Sequence, residues 1–455
     1  MEFPLQPHVV VLPYPSQGHI NPMINLSNIL VSNNPDIFVT FLVTHHCFSR
    51  TTSSNAKLRN ITFAALPDLR LSADTFDATV HAVMTQMEAP LQSLLDRLHP
   101  PPTLLICDAF LSWAVALANR RNIPVAAFWT TSTAELWVQY FHLFQGNQLC
   151  LQKKLDYIPS TYWIDGSDVP LLNGKNRKIL QLALKSCEWL PKAQYLLLPS
   201  IYELESKVVD ALKANLKIPI YTIGPSIPYS SVAENSRNPN PNINGGYMEW
   251  LDKQPPNSVL YISHGSYLSI SSAQMEEIAN ALHDGNVRFM WVTREESPKL
   301  REICGEKKKM GLVVAWCDQL RVLLHRAVGG YWSHCGWNSV MEGIFCGVPF
   351  LTFPIAMDQP LISRLIVEYW KVGWRVKKDE KMEGLVRRDV IVELLRKFMD
   401  LQSDDGREMR RRAKELQLMV QLAIAENGSS HTNIRAFLNN IVQSEEERVQ
   451  VQKDG

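Results

Sequence analysis

The chain has 455 residues, with 46 Lys and Arg against 45 Asp and Glu and a net charge of +1. That length is too great for one ordinary core and fits two domains of about 200 residues each. The charge balance lacks the basic surplus of a nucleic-acid binder, and 46% hydrophobic with 20% charged residues is an ordinary soluble globular composition.

The eight cysteines, Cys47, Cys107, Cys150, Cys187, Cys304, Cys317, Cys335 and Cys346, are scattered and form no CxxC pair. Neither a zinc site nor a disulfide framework is indicated, and a reducing compartment, the cytoplasm, is expected. The basic runs 307–309 and 410–412 stand beside acidic residues and read as solvated surface. No signal peptide is expected, because the apolar run Val9 to Leu12 is short and no basic region precedes it. No run of about 18 apolar residues predicts a membrane span.

In chain order, His8–Leu12 reads as a buried strand, followed by Ile37–Val43 and Ile61–Ala64. Between the first two, Asn21 is a plausible N-cap and Pro22 a plausible first helical residue, with Met23, Ile24, Leu26, Ile29 and Leu30 as the apolar face. His19 then sits beyond a strand and just before a helix N-terminus. The positive end of the helix dipole disfavours imidazolium there, and a neutral His is what a general base needs. Leu104–Cys107 and Val125–Phe128 are the next strands. Asp108, at the end of the former, could orient an imidazole or simply cap the following helix. Apolar strands separated by helices imply a parallel sheet covered on both faces.

Ser230 to Gly246 is polar, rich in Asn, Pro and Gly, and without periodicity, which is a linker signature. The strand and helix pattern then restarts. Strands are predicted at 258–262, 289–292, 312–314, 330–332 and 350–352, and a helix from Ser271 to Leu282 opened by a capping box of Ser271 and Gln274. Near the end, Ile434, Phe437, Leu438 and Ile441 repeat at helical spacing within 431–443, and the charged tail beyond Gln443 is expected to fray. In open α/β sheets ligands bind beyond the carboxyl ends of strands, so two such sheets facing each other would make a deep cleft.

The densest segment runs from Trp316 to Gln359, WCDQLRVLLHRAVGGYWSHCGWNSVMEGIFCGVPFLTFPIAMDQ. Trp316 follows a strand and could stack on a flat base or serve as a core residue. Ser333-His334-Cys335-Gly336-Trp337-Asn338-Ser339 places a strand end, a turn and a helix start together. Free N–H groups and the dipole make such an end an anion site. Glu342 lies one turn beyond Asn338 on the same face, where a carboxylate can accept from two vicinal hydroxyls.

This segment resembles the plant secondary-product signature of UDP-sugar-dependent glycosyltransferases of family 1, and the resemblance covers essentially the whole chain. It implies a GT-B fold, α/β with two Rossmann-like domains whose parallel sheets face a central cleft. The boundaries are expected as an acceptor domain at 1–230, a linker at 231–246, a donor domain at 247–430, and at 431–455 a helix returning to the first domain with its tail. By resemblance, Trp316 stacks on uracil, the Cys317 backbone reads its edge, and Gln319 serves base or ribose. His334, Trp337, Asn338 and Ser339 surround the diphosphate, Glu342 takes the ribose, and Asp358 and Gln359 take the sugar hydroxyls. Gln at that last position goes with glucose. Ser266, in Ser263-His264-Gly265-Ser266, would contact phosphate. His264 stands where the family has Phe, and Asp318 where it has Pro, although Asp can still form a turn by bonding backbone.

PSQGHINP matches the position of the family's catalytic His, which is His19 here, with Asp108 as its partner and Thr130 near the sugar 6-hydroxyl. The implied reaction is inverting transfer of glucose from UDP-glucose, a co-substrate, to a hydroxyl of a small lipophilic acceptor such as a flavonoid. No separate cofactor and no metal are expected, since there is no Asp-x-Asp motif and a helix end can neutralise diphosphate. Phe110, Trp113, Trp137 and Phe141 suit a flat apolar acceptor and could equally be core. The partners expected are the UDP-sugar and the small acceptor alone, with no nucleic acid and no membrane span, on a monomer. Another UDP-sugar, a terpenoid or aromatic-acid acceptor, or nucleotide-sugar binding without efficient transfer are the alternatives. A nicotinamide-dependent oxidoreductase is disfavoured, because no G-x-G-x-x-G follows the first strand.

Overall fold

The computed structural model describes residues 6–55, 60–73, 75–144, 155–158, 162–164, 177–229, 246–265, 270–294, 300, 310–377 and 384–454. The chain forms two compact units, one of residues Met1–Cys150, Gly174–Ile227 and Ala423–Gly455, the other of Leu151–Asn173 and Pro228–Leu422. Most of the predicted linker, 230–245, lies outside the described residues. Among the described residues no helix is long and apolar enough to cross a membrane.

The first unit is built on strands β1 (His8–Leu12), β2 (Phe38–Thr44), β3 (Ile61–Leu66), β4 (Leu104–Asp108) and β5 (Val125–Phe128). A short antiparallel pair follows, β6 (Leu155–Ile158) with β7 (Tyr162–Ile164), which clusters with the second unit. Two strands that the sequence reading did not foresee, β8 (Tyr195–Leu198) and β9 (Ile220–Thr222), complete the first sheet. Its order is β3-β2-β1-β4-β5-β8-β9 and every pairing is parallel. The winding reverses between β1 and β4, so their carboxyl ends flank a topological switch point, where open α/β sheets bind ligands.

The helix after β1 differs from expectation. It spans Gln17–Asn33 with Ser16 as N-cap, and Pro22 lies inside it rather than at its first position. The Ser16 carbonyl accepts from the amides of both His19 and Ile20 at 3.0 and 2.8 Å. Pro22 removes one rung, yet the turn holds because Ile20, Pro22, Met23 and Ile24 are all buried. His19 therefore lies within the first helical turn.

The last helix, Ser429–Asp454, belongs to the first unit and continues through the tail that was expected to fray. Ile434, Phe437, Leu438 and Ile441 are all buried. Phe437 meets Tyr195 edge-on at 5.5 Å and Tyr221 at 5.6 Å. The Asn433 amide donates to the Thr222 carbonyl at 3.0 Å, and that of Asn440 to the Tyr221 hydroxyl at 2.5 Å.

The second unit carries β10 (Val259–Ser263), β11 (Arg288–Val292), β12 (Gly311–Val314), β13 (Val328–Ser333), β14 (Phe350–Thr352) and β15 (Gly373–Arg375). The order is β12-β11-β10-β13-β14-β15, again all parallel, with its switch point between β10 and β13. Trp291, Trp332, Leu351, Leu395 and Phe398 are core residues of this unit. The predicted capping box is half formed on the helix Ser272–Asp284. Ser271 Oγ accepts from the Gln274 amide at 3.2 Å, but the Gln274 side chain exchanges two bonds with the Val386 backbone instead of reaching back. A buried Gln satisfies both its ends that way, whereas the cap would use only one.

Candidate active site

At the first switch point β1 and β4 run in register, with Leu12 opposite Cys107. The chain leaving β1 turns into the helix bearing His19, and β4 ends on Asp108. His19 Nδ1 lies 2.6 Å from Asp108 Oδ2, with the carboxylate fully buried and the imidazole 24% exposed. Asp108 Oδ1 accepts from the Phe110 amide at 3.0 Å, so both carboxylate oxygens are engaged and the group cannot swing. Thr130, expected at the donor sugar, has its hydroxyl 3.1 Å from the same Nδ1 and is buried, so the structure groups it with the imidazole.

Phe110 is half-buried, stands edge-on to His19 at 6.0 Å and packs on Trp129 at 5.0 Å. Tyr14, which the sequence reading passed over, lies 5.2 Å from the His19 ring on the other strand's loop. Trp113 and Trp137 are buried, which is their core reading, and the side chain of Phe141 lies outside the described residues. Among the acceptor candidates whose side chains are described, Phe110 is the one that packs beside His19.

At the second switch point Ser263 pairs with Ser333, and the two strands deliver His264 and His334 side by side. The His334 ring is clasped by glycines. A Cβ on Gly265 would come 2.7 Å from its Nε2, and one on Gly336 would come 2.5 Å from the same atom. Burial pushes the His334 pKa down to about 4, against the Ser263 backbone hydrogen bond, so the ring is neutral and can act on its surroundings only as a dipole, not as a cation. His264 is buried among Trp291, Trp332 and Phe353, and burial followed by the neighbouring His334 lowers it to about 3. In place of the family's Phe it acts as an aromatic core residue. Ser266 lies outside the described residues.

Cys335 holds φ +68 and Met357 φ +61. A non-glycine residue in the left-handed region costs about 1–2 kcal/mol, and such strain gathers at sites where backbone must be aimed. The helix Trp337–Cys346 starts directly beyond Cys335 with Gly336 as its N-cap, so its first amides point out of the strand end. Trp337 is only 3% exposed and packs on Trp370, so its side chain is core and its backbone is what remains for a ligand. Asn338 and Ser339 follow on the first turn, both half-buried.

Trp316 is 66% exposed, an indole face outside the core. Asp318 caps the helix Gln319–Leu323, its Oδ1 accepting from the Arg321 amide at 3.2 Å. Gln319 is not a free ligand. Its Oε1 accepts from the hydroxyls of Tyr261 at 3.0 Å and Tyr331 at 3.2 Å, while its Nε2 donates to Ser339 Oγ at 3.1 Å and Glu342 Oε2 at 2.5 Å. Burial raises the Glu342 pKa to about 7, opposed by that Gln319 bond and assisted by Asp318. Cys317 is buried with its sulfur 3.4 Å from the Tyr261 hydroxyl, and burial pushes the thiol up to about 12. Asp358 caps the helix Gln359–Arg364. Gln359 Oε1 accepts from the amides of Ile355 and Ala356 at 2.8 and 3.0 Å, which aims its amide nitrogen away from that loop.

Residues 6–228 match the family described as glycosyltransferase, N-terminal domain, and residues 235–380 match the family described as UDP-glucoronosyl and UDP-glucosyl transferase. UDP-glycosyltransferase 87A1 of Arabidopsis thaliana is 43% identical over 443 residues, covering 94% of this chain and 99% of that protein. (R)-mandelonitrile beta-glucosyltransferase of Prunus dulcis is 30% identical over 483 residues, covering 96% and 98%. The solved structure of Os79 from O. sativa in complex with U2F and trichothecene superposes with a TM-score of 0.84 at 28% identity, covering 95% of this chain and all of that one.

Proposed function

Because this chain is a UDP-glycosyltransferase of the plant family 1 type, with the GT-B fold, we propose that it moves glucose from UDP-glucose to a hydroxyl of a small lipophilic acceptor with inversion. The single observation that carries the reading is the His19–Asp108 contact at 2.6 Å, with both carboxylate oxygens engaged. With Nδ1 committed to Asp108, the other ring nitrogen, Nε2, accepts the acceptor's hydroxyl proton. The acceptor oxygen bonds to the anomeric carbon as the bond to the diphosphate oxygen breaks, and its electron pair leaves with UDP. Asp108 stabilises the imidazolium that results. His334, Ser339 and the amides at the start of the helix Trp337–Cys346 stabilise charge on the departing diphosphate. Trp316 supplies the base platform and Glu342 the ribose acceptor. Asp358 and Gln359 hold the sugar, and Gln359 is the basis for naming glucose.

A phenolic acceptor such as a flavonoid is favoured by the half-buried ring of Phe110 beside His19. The similarity to a beta-glucosyltransferase that takes its name from mandelonitrile is in keeping with an aromatic acceptor. The six described cysteines are all free and buried, which suits the cytoplasm. The test is UDP release coupled to product mass, with UDP-glucose and UDP-galactose each offered against phenolic, terpenoid and aromatic-acid panels. Turnover with UDP-galactose but not UDP-glucose overturns the donor. Products confined to the terpenoids overturn the acceptor class.

A further inference from the structure

We infer that Tyr261 and Tyr331 are positioning residues for donor recognition, acting through Gln319 to aim the Glu342 carboxylate at the ribose hydroxyls. The inference rests on the donor reading above and deepens it. The two phenols come from adjacent strands, β10 and β13, where Tyr261 and Tyr331 are direct register partners. Both are buried, and their rings pack at 5.1 Å. As plain core residues they need only their rings. Their hydroxyls nevertheless converge on one atom, Gln319 Oε1, at 3.0 and 3.2 Å.

The chemistry fixes which way the amide points. In its charged form Glu342 only accepts, so the end of Gln319 that faces it is then the nitrogen. The phenols must then donate to the oxygen. An amide oxygen holding two donors has filled both lone pairs, which leaves the Gln319 nitrogen nowhere to turn except to Ser339 and Glu342. One carboxylate oxygen, Oε2, is thus committed to the protein, and Oε1 is left to receive a ligand hydroxyl. The ionisable groups facing Glu342 are Tyr261 on β10, Cys317 and Asp318 ahead of the helix Gln319–Leu323, Tyr331 on β13 and Cys346 on its own helix. Among the described residues none of these is a cation, so the Gln319 amide is the nearby group that favours the charged carboxylate.

Deleting both hydroxyls in Tyr261→Phe/Tyr331→Phe keeps the rings and releases the amide to rotate. With nothing anchoring its oxygen, Gln319 no longer holds the Glu342 carboxylate in one orientation. The probes are UDP and 2′-deoxy-UDP, titrated by calorimetry against the wild-type chain, the double variant and Glu342→Gln. Wild type is expected to prefer UDP by about tenfold or more, the worth of a hydrogen bond to a charged group. In the double variant that preference collapses towards one and resembles Glu342→Gln, while circular dichroism and the melting transition remain those of a folded chain. Tyr331→Phe alone, which leaves one donor on the oxygen, loses part of the preference. A double variant that is folded and still discriminates as wild type does overturns the positioning role while the donor reading stands. Wild type that binds UDP without discriminating overturns the ribose role of Glu342 and the inference with it. Wild type that binds no UDP overturns both readings.

Discussion

Asp108 Oδ2 meets His19 Nδ1 at 2.6 Å because two adjacent parallel strands end at the same level on either side of a reversal in sheet order. The pair is 89 residues apart in sequence, and the switch point makes them neighbours. His19→Ala should therefore lower turnover by about 10²–10⁴-fold, the usual contribution of a general base. UDP binding should persist, since the groups proposed to hold UDP belong to the other unit. Asp108→Asn should fall on the order of 10²-fold or more by losing the tautomer and the stabilised imidazolium. UDP-release kinetics and calorimetry check both, and an alanine variant with near-normal turnover would sink the assignment.

With Glu342 as the proposed ribose acceptor, UDP binding should be sensitive to pH. Its folded pKa of about 7 lies above the ordinary 4.5, so UDP affinity should fall as pH drops through about 7 and the acceptor becomes a neutral acid. Stability runs the other way. Between about 4.5 and 7 the folded chain keeps a proton that the unfolded chain has released, so this group lowers stability as pH rises through that window. Glu342→Gln should raise the unfolding free energy at pH 8 by on the order of 1 kcal/mol, seen as a higher melting temperature, while weakening UDP and flattening the pH profile of binding.

The glycines around His334 separate placement from strain. Gly336 has φ −63, which any residue adopts, so in Gly336→Ala the new methyl collides with His334 Nε2 without straining the backbone. UDP affinity should drop about tenfold, roughly one hydrogen bond to an anion, with the melting temperature nearly unchanged. Gly265→Ala makes the same collision at φ +85 and should also cost about 1–2 kcal/mol of stability. Equal UDP affinity in Gly336→Ala and wild type would show that the His334 position does not matter to donor binding.

Phe437 is fully buried between Tyr195 and Tyr221. Phe437→Ala should destabilise the chain by about 3–5 kcal/mol, the usual cost of emptying such a site. Denaturant unfolding measures it, and a loss below 1 kcal/mol would mean that the last helix adds little to the first sheet.

The sequence reading was strongest where one physical signal dominated. Long apolar runs such as His8–Leu12 and Val125–Phe128 are strands to the residue. Tyr195–Leu198, Ile220–Thr222 and Gly373–Arg375 escaped because three or four residues carry too little periodicity to stand out from a buried helix. The helix bearing His19 starts five residues earlier than the sequence predicts, because proline's preference for the first helical position outweighed Ser16, whose cap is made by its backbone and not by its side chain. His19 and Asp108 were legible from their places at strand ends. Tyr261 and Tyr331 were not, since an apolar strand pattern shows a ring and conceals where its hydroxyl points. The nearness of Thr130 to His19 was not legible, because linear sequence cannot report that β5 and β4 are neighbours.

The first unit takes its chain from three stretches, the last of them 423–455. Anyone building hybrids from this chain and a relative inherits that arrangement as a splicing constraint. A single crossover near residue 228 would set one parent's Tyr195, Tyr221 and Thr222 against the other parent's Asn433, Phe437 and Asn440. That packing stays within one parent only with a second junction near residue 423, which returns the final helix to the parent whose sheet it covers.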